Sequence, residues 1–578
     1  MIRPLPAITP AARRHAPRWL TALSVALILA CHPAPEDHEA AGETAPAELS
    51  LELPAGFEQI EATVQAEELR RDIAALASDE MAGRGPGSEG DAKARAYLVQ
   101  RMQEIGLEPA GSDGSWEQVF DIVGVDSQMP ASWSFRAGGG EVALARSTDF
   151  IAASGVQTES AGLDGAELVF VGYGIEAPEF QWNDFKGQDL RGKVLLMLNN
   201  DPDWSDDLFA GVTRLYYGRW TYKYESAARQ AAAGAIVVHT TPSAGYGWNV
   251  VQTSWTGEQF QLPPVEGEPH VQVEAWVTEE AARRLLEAAG HTFEALVEQA
   301  KSRDFAPVPL GVTTSLTLPN RVSRTQTANV LGRVPGTDPE LADEFVVWSA
   351  HHDHLGVAAE GEDRIYNGAL DNASGCAQLL QIAEALKASP TRRSHLFAFV
   401  AAEEQGLLGS AYYASHPTVP PGRIAANLNY DGANIWGRAL DVTYVGYGKS
   451  NLDALVEAAA ARQGRTVKPD QFPDRGFFYR SDQFNFAKIG VPAVYLDSGT
   501  EFRDRPEGWG KEQIEAWEAE HYHQVSDEQS DQWNYEGMIE DAQLGLAVGV
   551  AVGNSDALPS WKPGDEFEAA RLQALGTD

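Results

Sequence analysis

The chain has 578 residues, of which 44 are Lys or Arg and 83 are Asp or Glu, for a formal charge of −39 at pH 7. So acidic a chain repels a polyanion over most of its surface, which argues against nucleic acid as a partner and fits a heavily solvated exterior. The 43% hydrophobic fraction is ample for buried cores, and the length calls for two or three domains rather than one.

Arg13, Arg14 and Arg18 precede a short apolar run over 19–30. It falls short of the roughly 20 residues that span a bilayer, so 1–30 reads as a cleavable export signal. Export places the protein in the bacterial cell envelope, the periplasm or the medium. Ile28-Leu-Ala-Cys31 resembles the cleavage box of bacterial lipoproteins. A lipid on Cys31 would then be the protein's link to a membrane; the alternative is an ordinary signal cut a few residues later. Cys31 and Cys376 are the only cysteines, so a lipidated Cys31 leaves no disulfide. Residues 31–55, rich in Pro, Ala and Glu, read as a flexible tether.

Apolar spacing predicts a helix from Glu67, a break at Gly83-Arg-Gly-Pro-Gly87 and a second helix over 88–105 that Gly106 stops. After Trp116 the pattern turns to strands, at 168–173, 193–198 and 235–239, the last two separated by an Ala-rich helix over 225–233. A helix over 279–289 and a Pro-containing stretch over 305–319 lead out of this region. It clusters no His, Asp and Glu at ligand spacing, and it interrupts a chain whose chemistry begins at residue 351. We therefore divide the chain into an inserted domain over 146–318 and a larger domain made of 56–145 and 319–557. From Thr327 strands and helices alternate again, with strands at 423–429, 442–445 and 491–496. The fold class expected is α/β: a mostly parallel, helix-covered sheet with an inserted, smaller, β-rich α/β domain. Residues 558–578, polar and with Pro559 and Pro563, read as a loose tail.

Chemistry concentrates between 345 and 404. Two uncharged runs of buried-strand type end in His351 and in Glu403-Glu404, and a helix over 374–387, capped by Asp371 or Asn372, joins them. Ligands of open α/β sheets bind at such carboxyl ends. Zinc takes imidazole and carboxylate at roughly 2 Å, and paired sites about 3.5–4 Å apart share a carboxylate and a hydroxide. Five side chains suit that purpose: His351, Asp371, Glu404, Asp431 and His523. The strand period puts Asp353 on the side of His351, where it can orient the imidazole, and leaves His352 and His354 opposite, as packing or surface groups. Glu403 and Glu404 are neighbours whose side chains diverge; Glu404 is assigned to metal and Glu403 to the general base. Cys376 reads as a small core residue.

Ser349-Ala-His-His-Asp-His-Leu-Gly356, Gly368-Ala-Leu-Asp-Asn-Ala-Ser-Gly375, Ala401-Ala-Glu-Glu-Gln-Gly-Leu-Leu-Gly-Ser410, Asn429-Tyr-Asp431 and Tyr522-His-Gln-Val-Ser-Asp527 stand in order along the chain. Together they resemble the successive metal motifs of the co-catalytic zinc aminopeptidase family, which also contains glutamate carboxypeptidases and glutaminyl cyclases. The resemblance implies two Zn²⁺ ions, one held by His351 and Asp431, the other by Glu404 and His523, with Asp371 between them. It matches Asp353 to a ring-orienting Asp and Glu403 to the catalytic Glu. Asp527 favours His523 over His521 as the last ligand. Gln483 stands where a Ser-Asp-His loop usually carries His, and nearby Tyr479 matches a Tyr that donates to the oxyanion in some members; a packed aromatic is the other reading. The stretches Val169-Phe-Val-Gly-Tyr-Gly174 and Lys193-Val-Leu-Leu-Met197 resemble a protease-associated domain. The implied function is an exported metallopeptidase that hydrolyses N-terminal peptide bonds with a di-zinc-bound hydroxide. Its partners would be peptide substrates, and the oligomeric state stays open. A carboxypeptidase or dipeptidase on the same site is the alternative. Glutaminyl cyclisation needs one zinc, and a non-catalytic surface binding module should have lost ligands that this chain retains.

Overall fold

Uncharged strand sequences build the middle of the larger sheet: Phe345–His351, Ser394–Val400 and Ile424–Asn429 are buried at every position. In the computed structural model, which describes residues 49–576 except 139, 206 and 207, these three strands lie parallel with Phe345–His351 in the centre. Ala493–Asp497 adds a fourth parallel strand beside Ile424–Asn429. Antiparallel pairing appears at the margins, where Asp441–Val445 joins Ala493–Asp497 and the end of Val308–Val334 joins Ser394–Val400. Strands buried on both faces need helices on both, and this sheet is accordingly α/β and mostly parallel. The export signal, Cys31 and most of the tether lie outside the described residues.

Helices Ala66–Leu76, Glu89–Ile105, Ser374–Ala388 and Glu536–Asn554 bury Leu69, Leu98, Leu379 and Leu546 in one core with Trp348. Ser88 caps the second of these, accepting from the Asp91 amide, and Gly106 ends it in the left-handed conformation. Glu536–Asn554 lies close against the sheet because glycines face it. A methyl group on Gly549 would stand 2.2 Å from Trp348 Cζ2 and one on Gly545 1.9 Å from the Tyr430 hydroxyl. Neither Asp371 nor Asn372 caps Ser374–Ala388 as its preceding residue; that place falls to Ala373. Asn372 instead accepts from the amides of Gly375 at 2.9 Å and Gly432 at 3.1 Å, tying the helix start to the end of a neighbouring strand.

A second sheet has its own core, in which Trp133, Phe150, Leu168 and Leu285 meet. Its parallel part is Ser160–Phe170, Val194–Leu198, Gly234–His239 and Val273–Thr278, with Phe150–Ser154 antiparallel beyond. Ser132–Ala137 and Gly140–Ala145 also belong to it. The Ala-rich helix starts earlier than its composition indicates, at Trp220, and stops at Arg229.

The Pro-containing stretch, read from sequence as an exit segment, is half of a 27-residue strand, Val308–Val334. Up to Pro319 it pairs with Ser160–Phe170 of the second sheet; from Asn320 it pairs with Glu117–Ser127 of the first. One strand thus serves both sheets, with Pro319 where it changes partner.

Two further expectations change at the ends of the described region. Residues 558–576 are not loose: Trp561 is buried, and helix Glu568–Leu575 sends Arg571 inward to donate to the carbonyls of Ile424 at 2.8 Å and Pro559 at 3.2 Å. Polar composition is misleading there because a long guanidinium stem can be buried while its head finds backbone acceptors. Leu49, inside the expected tether, is buried against the main core.

Candidate metal and catalytic centre

The strand ends deliver the chemistry. His351 is the last residue of Phe345–His351, Glu403 follows Ser394–Val400 by three residues, and Asp431 follows Ile424–Asn429 by two. Asp371 arrives from the turn before Ser374–Ala388, across a cis peptide bond to Asn372. His523, at φ 55°, comes from the irregular segment after Trp509–Glu520.

These groups converge. Nε2 of His351 lies 3.2 Å from Asp371 Oδ1 and 3.1 Å from Asp431 Oδ1. Nε2 of His523 lies 3.4 Å from Asp371 Oδ2 and 2.9 Å from Glu404 Oε2. The two oxygens of Asp371 therefore face the two imidazoles, one each. Ligand atoms of His351, Asp371 and Glu404 all fall within 4.8 Å of one another.

The electrostatics of the cluster favour positive charge. Burial opposes the charged form of His351, yet Asp431, Glu403 and the hydrogen bonds to Asp371 and Asp431 raise it well above the usual histidine range. His523 is likewise raised to about 10 against its burial, chiefly by Glu404 and Asp371. Glu404 falls to about 2 despite burial and the neighbouring Asp371, because His523 and His354 hold its ionised form. Buried carboxylates that draw protons onto two imidazoles form a site for positive charge, and the imidazole and carboxylate donors are those zinc takes. The set fits metal: His351 and Asp431 on one side, His523 and Glu404 on the other, Asp371 reaching both.

Glu403 and Glu404 do diverge. Both oxygens of Glu404 are engaged, Oε1 by His354 Nδ1 at 2.6 Å and Oε2 by His523. Among the described residues none hydrogen-bonds or ion-pairs with the Glu403 carboxylate, which lines the cavities on both sides of the cluster. Burial, with Asp431 and Glu404 adding and His351 opposing, pushes its carboxyl well above the usual range.

Asp353 is buried beneath these groups, but its backbone does what its side chain was expected to do. His351 Nδ1 lies 3.2 Å from the Asp353 carbonyl oxygen and 3.8 Å from the carboxylate. The carboxylate instead accepts from the amides of Glu403 at 3.0 Å and Glu404 at 3.3 Å. His354, read as packing or surface, is a buried partner of Glu404; the strand ends at His351, so alternation no longer governs where residue 354 points. His352 is also buried and meets Asp91 at 3.0 Å.

Tyr479 is not brought to the cluster. Its hydroxyl donates to Glu566 at 2.7 Å and its ring packs with Phe478 and Phe484, away from both cavities. Gln483 is likewise structural, bonded to Asn429 and the Phe478 carbonyl. Two aromatic hydroxyls do reach the cavity: Tyr495, which donates to the Asp431 carbonyl at 3.1 Å, and Tyr522, whose ring stacks on His523 with centroids 3.9 Å apart.

Three groups support the cluster, of which Ser254 and Arg480 escaped sequence reading. Asp527 accepts from the amides of Leu370 at 2.9 Å and Asp371 at 3.0 Å, fixing the turn that presents Asp371. Ser254, at the end of helix Trp248–Ser254, lies 2.7 Å from His523 Nδ1. Arg480 donates to the Tyr522 hydroxyl at 3.1 Å. Asp527 was visible as part of the last motif; Ser254 had no signal, because nothing local links it to a residue 269 positions away.

Comparison with known proteins follows the same geometry. Residues 329–547 match the model of peptidase family M28. A probable leucine aminopeptidase 2 of Aspergillus fumigatus is 27% identical over 258 residues, 43% of this chain and 49% of that protein. Its Aspergillus oryzae counterpart is 26% identical over 262 residues, again 43% and 49%. The chain spans about half the length of the curated relatives it matches. Among solved structures, the aminopeptidase from Aneurinibacillus sp. strain AM-1 superposes with a TM-score of 0.51 at 20% identity, covering 87% of this chain and 97% of that one. Residues 329–547, which carry the sheet's central strands and every one of the five converging ligand candidates, are the part of the chain that matches peptidase family M28.

Proposed function

We propose that the protein is an exported metallopeptidase that removes N-terminal residues from peptides, using two zinc ions at the cluster. The observation that carries this reading is the contrast at the centre: Asp371 spans two imidazoles, while the neighbouring Glu403, half-buried, turns a carboxylate without a partner among the described residues to the cavities. His351 and Asp431 would hold one ion, His523 and Glu404 the other, with Asp371 shared. When bound, the ions would supply Lewis acidity to the scissile carbonyl and lower the pKa of water. Glu403 takes the proton of the attacking water and returns it to the departing amine. The second sheet, resembling a protease-associated domain, narrows the approach through Ser254 and the walls of the larger cavity. Arg13, Arg14, Arg18 and the apolar run after them support export, with Cys31 as the lipid-bearing residue of the mature chain.

Glu403→Gln should retain zinc by metal analysis and lose turnover by about a hundredfold or more, the scale of a lost general base. Near-normal turnover would remove Glu403 from the mechanism. Incubating the zinc-loaded protein with a peptide library should shorten peptides from the amino end; trimming from the carboxyl end would turn the reading to a carboxypeptidase.

A further inference from the structure

Two cavities meet at the cluster, and both are walled in part by Glu403, Glu404, Arg480 and Tyr522. The smaller, about 150 Å³, sets Trp436, Phe477 and Trp517 beside the acidic side chains of the cluster. The larger, about 370 Å³, opens between the two sheets and includes Arg219, Tyr246 and Trp255.

Arg219 is the unusual member of this wall. In a chain with 83 acidic residues, its guanidinium makes no hydrogen bond or ion pair with any described residue. Nε is sealed from solvent without a partner, so Nη1 and Nη2 are the atoms left open to the cavity. Its guanidinium carbon lies over the ring of Trp220, 5.8 Å from the centroid. Arg480 stands close by, one Nη bonded to Tyr522 and the other sealed and unpartnered, its charge lying over Phe477 at 5.0 Å and Tyr246 at 5.5 Å. Burial, with Arg480 adding, pulls Arg219 down to about 10, which leaves it charged at neutral pH. None of the carboxylates that line this wall forms an ion pair with it. Glu225 is taken by Tyr216 and Arg229, and burial pushes the Glu274 carboxyl up to about 8. A desolvated guanidinium with open donors is a receptor for a planar anion, which it engages through paired, charge-assisted hydrogen bonds.

We propose that Arg219, supported by Arg480, binds a carboxylate on the departing side of the peptide, so that the preferred substrates are short peptides whose free carboxylate lies within one or two residues of the cleaved bond. This rests on the peptidase reading above and assigns the larger cavity to the part of the peptide that leaves. The carboxylate has two sources of the same chemistry, a terminal α-carboxylate or an Asp or Glu side chain following the scissile bond.

The test compares kcat/KM of the zinc-loaded full chain on Leu-Ala, Leu-Ala-amide, Leu-Asp-amide and Leu-Asn-amide. The acid should exceed its amide by about tenfold or more, the scale of a charge-assisted pair, with the difference carried by KM. A like preference for Leu-Asp-amide over Leu-Asn-amide assigns the side chain as a second source, and its absence confines recognition to the terminus. Arg219→Gln should bring the acid-to-amide ratio close to one, and Arg219→Lys should restore part of it. Equal rates on acid and amide in the parent, or an unchanged ratio in Arg219→Gln, overturns the proposal while leaving the peptidase reading intact. If none of the peptides is cleaved, the peptidase reading fails instead. Calorimetric binding of Leu-Ala and Leu-Ala-amide to Glu403→Gln then decides the role of Arg219 without turnover: equal affinities overturn it.

Discussion

Asp353 accepts from two successive amides, those of Glu403 and Glu404, and so holds the backbone from which a proposed metal ligand and a proposed base diverge. An Asn in its place offers one acceptor and turns a donor toward the other amide. Supporting residues of this kind typically alter metal affinity by about 10–100-fold. Asp353→Asn should therefore bind zinc that much more weakly, as read by competition with a chromophoric chelator, and should lose activity even when zinc is saturating; parent-like affinity would assign the carboxylate to packing alone. At this scale the sequence was readable where chemistry and pattern coincide. His351 and Glu404 each end an uncharged run, and Asp371 precedes an apolar helix. It was unreadable where the partner is distant, as with Ser254, or where the regular element had already stopped, as with His354.

Helix Trp248–Ser254 belongs to the region framed by the second sheet, yet its last side chain holds a ring of the cluster. With Nδ1 of His523 engaged by the Ser254 hydroxyl, Nε2 is the nitrogen turned toward Glu404 and Asp371. Ser254→Ala should lower zinc affinity by about tenfold while Ser254→Thr keeps most of it. Unchanged zinc retention in the Ala variant would leave the contact without consequence. Among the elements, the three central strands Phe345–His351, Ser394–Val400 and Ile424–Asn429 were legible because burial on both faces leaves them without Asp, Glu, Lys or Arg. Val308–Val334 was not, since Pro309 and Pro319 read as interruptions. Both prolines lie within its pairing with the second sheet, which carries register shifts between Pro309 and Val312 and between Thr314 and Leu316, and the ladder continues through them. Glu536–Asn554 also gave little signal, its apolar face being broken by the glycines that let it approach Trp348 and Tyr430.

For the whole molecule, net charge foretold the acidic exterior but not the ionisable groups kept inside. Glu274, on strand Val273–Thr278, has its carboxyl raised from 4.5 to about 8 by burial. Below pH 4.5 both folded and unfolded chains carry the proton and nothing is lost. As pH rises from there to about 8, the unfolded chain releases it and the folded one retains it, so stability falls across that window and levels off above. Glu274→Gln should match the parent near pH 4.5 and exceed it by about 1 kcal/mol or more near pH 8, since a tenfold change in proton affinity between the folded and unfolded chains corresponds to about 1.4 kcal/mol. A gain independent of pH in denaturant titrations would place the effect in packing.

The strand common to both sheets also determines how the protein can move. Its pairing passes from Ser160–Phe170 at Pro319 to Glu117–Ser127 at Asn320, so the two sheets share one strand with no linker residue between them. A continuous ladder transmits a displacement instead of absorbing it. On the peptidase reading proposed above, a slot framed in this way would admit an extended chain end more readily than a folded protein whose ends are tucked away.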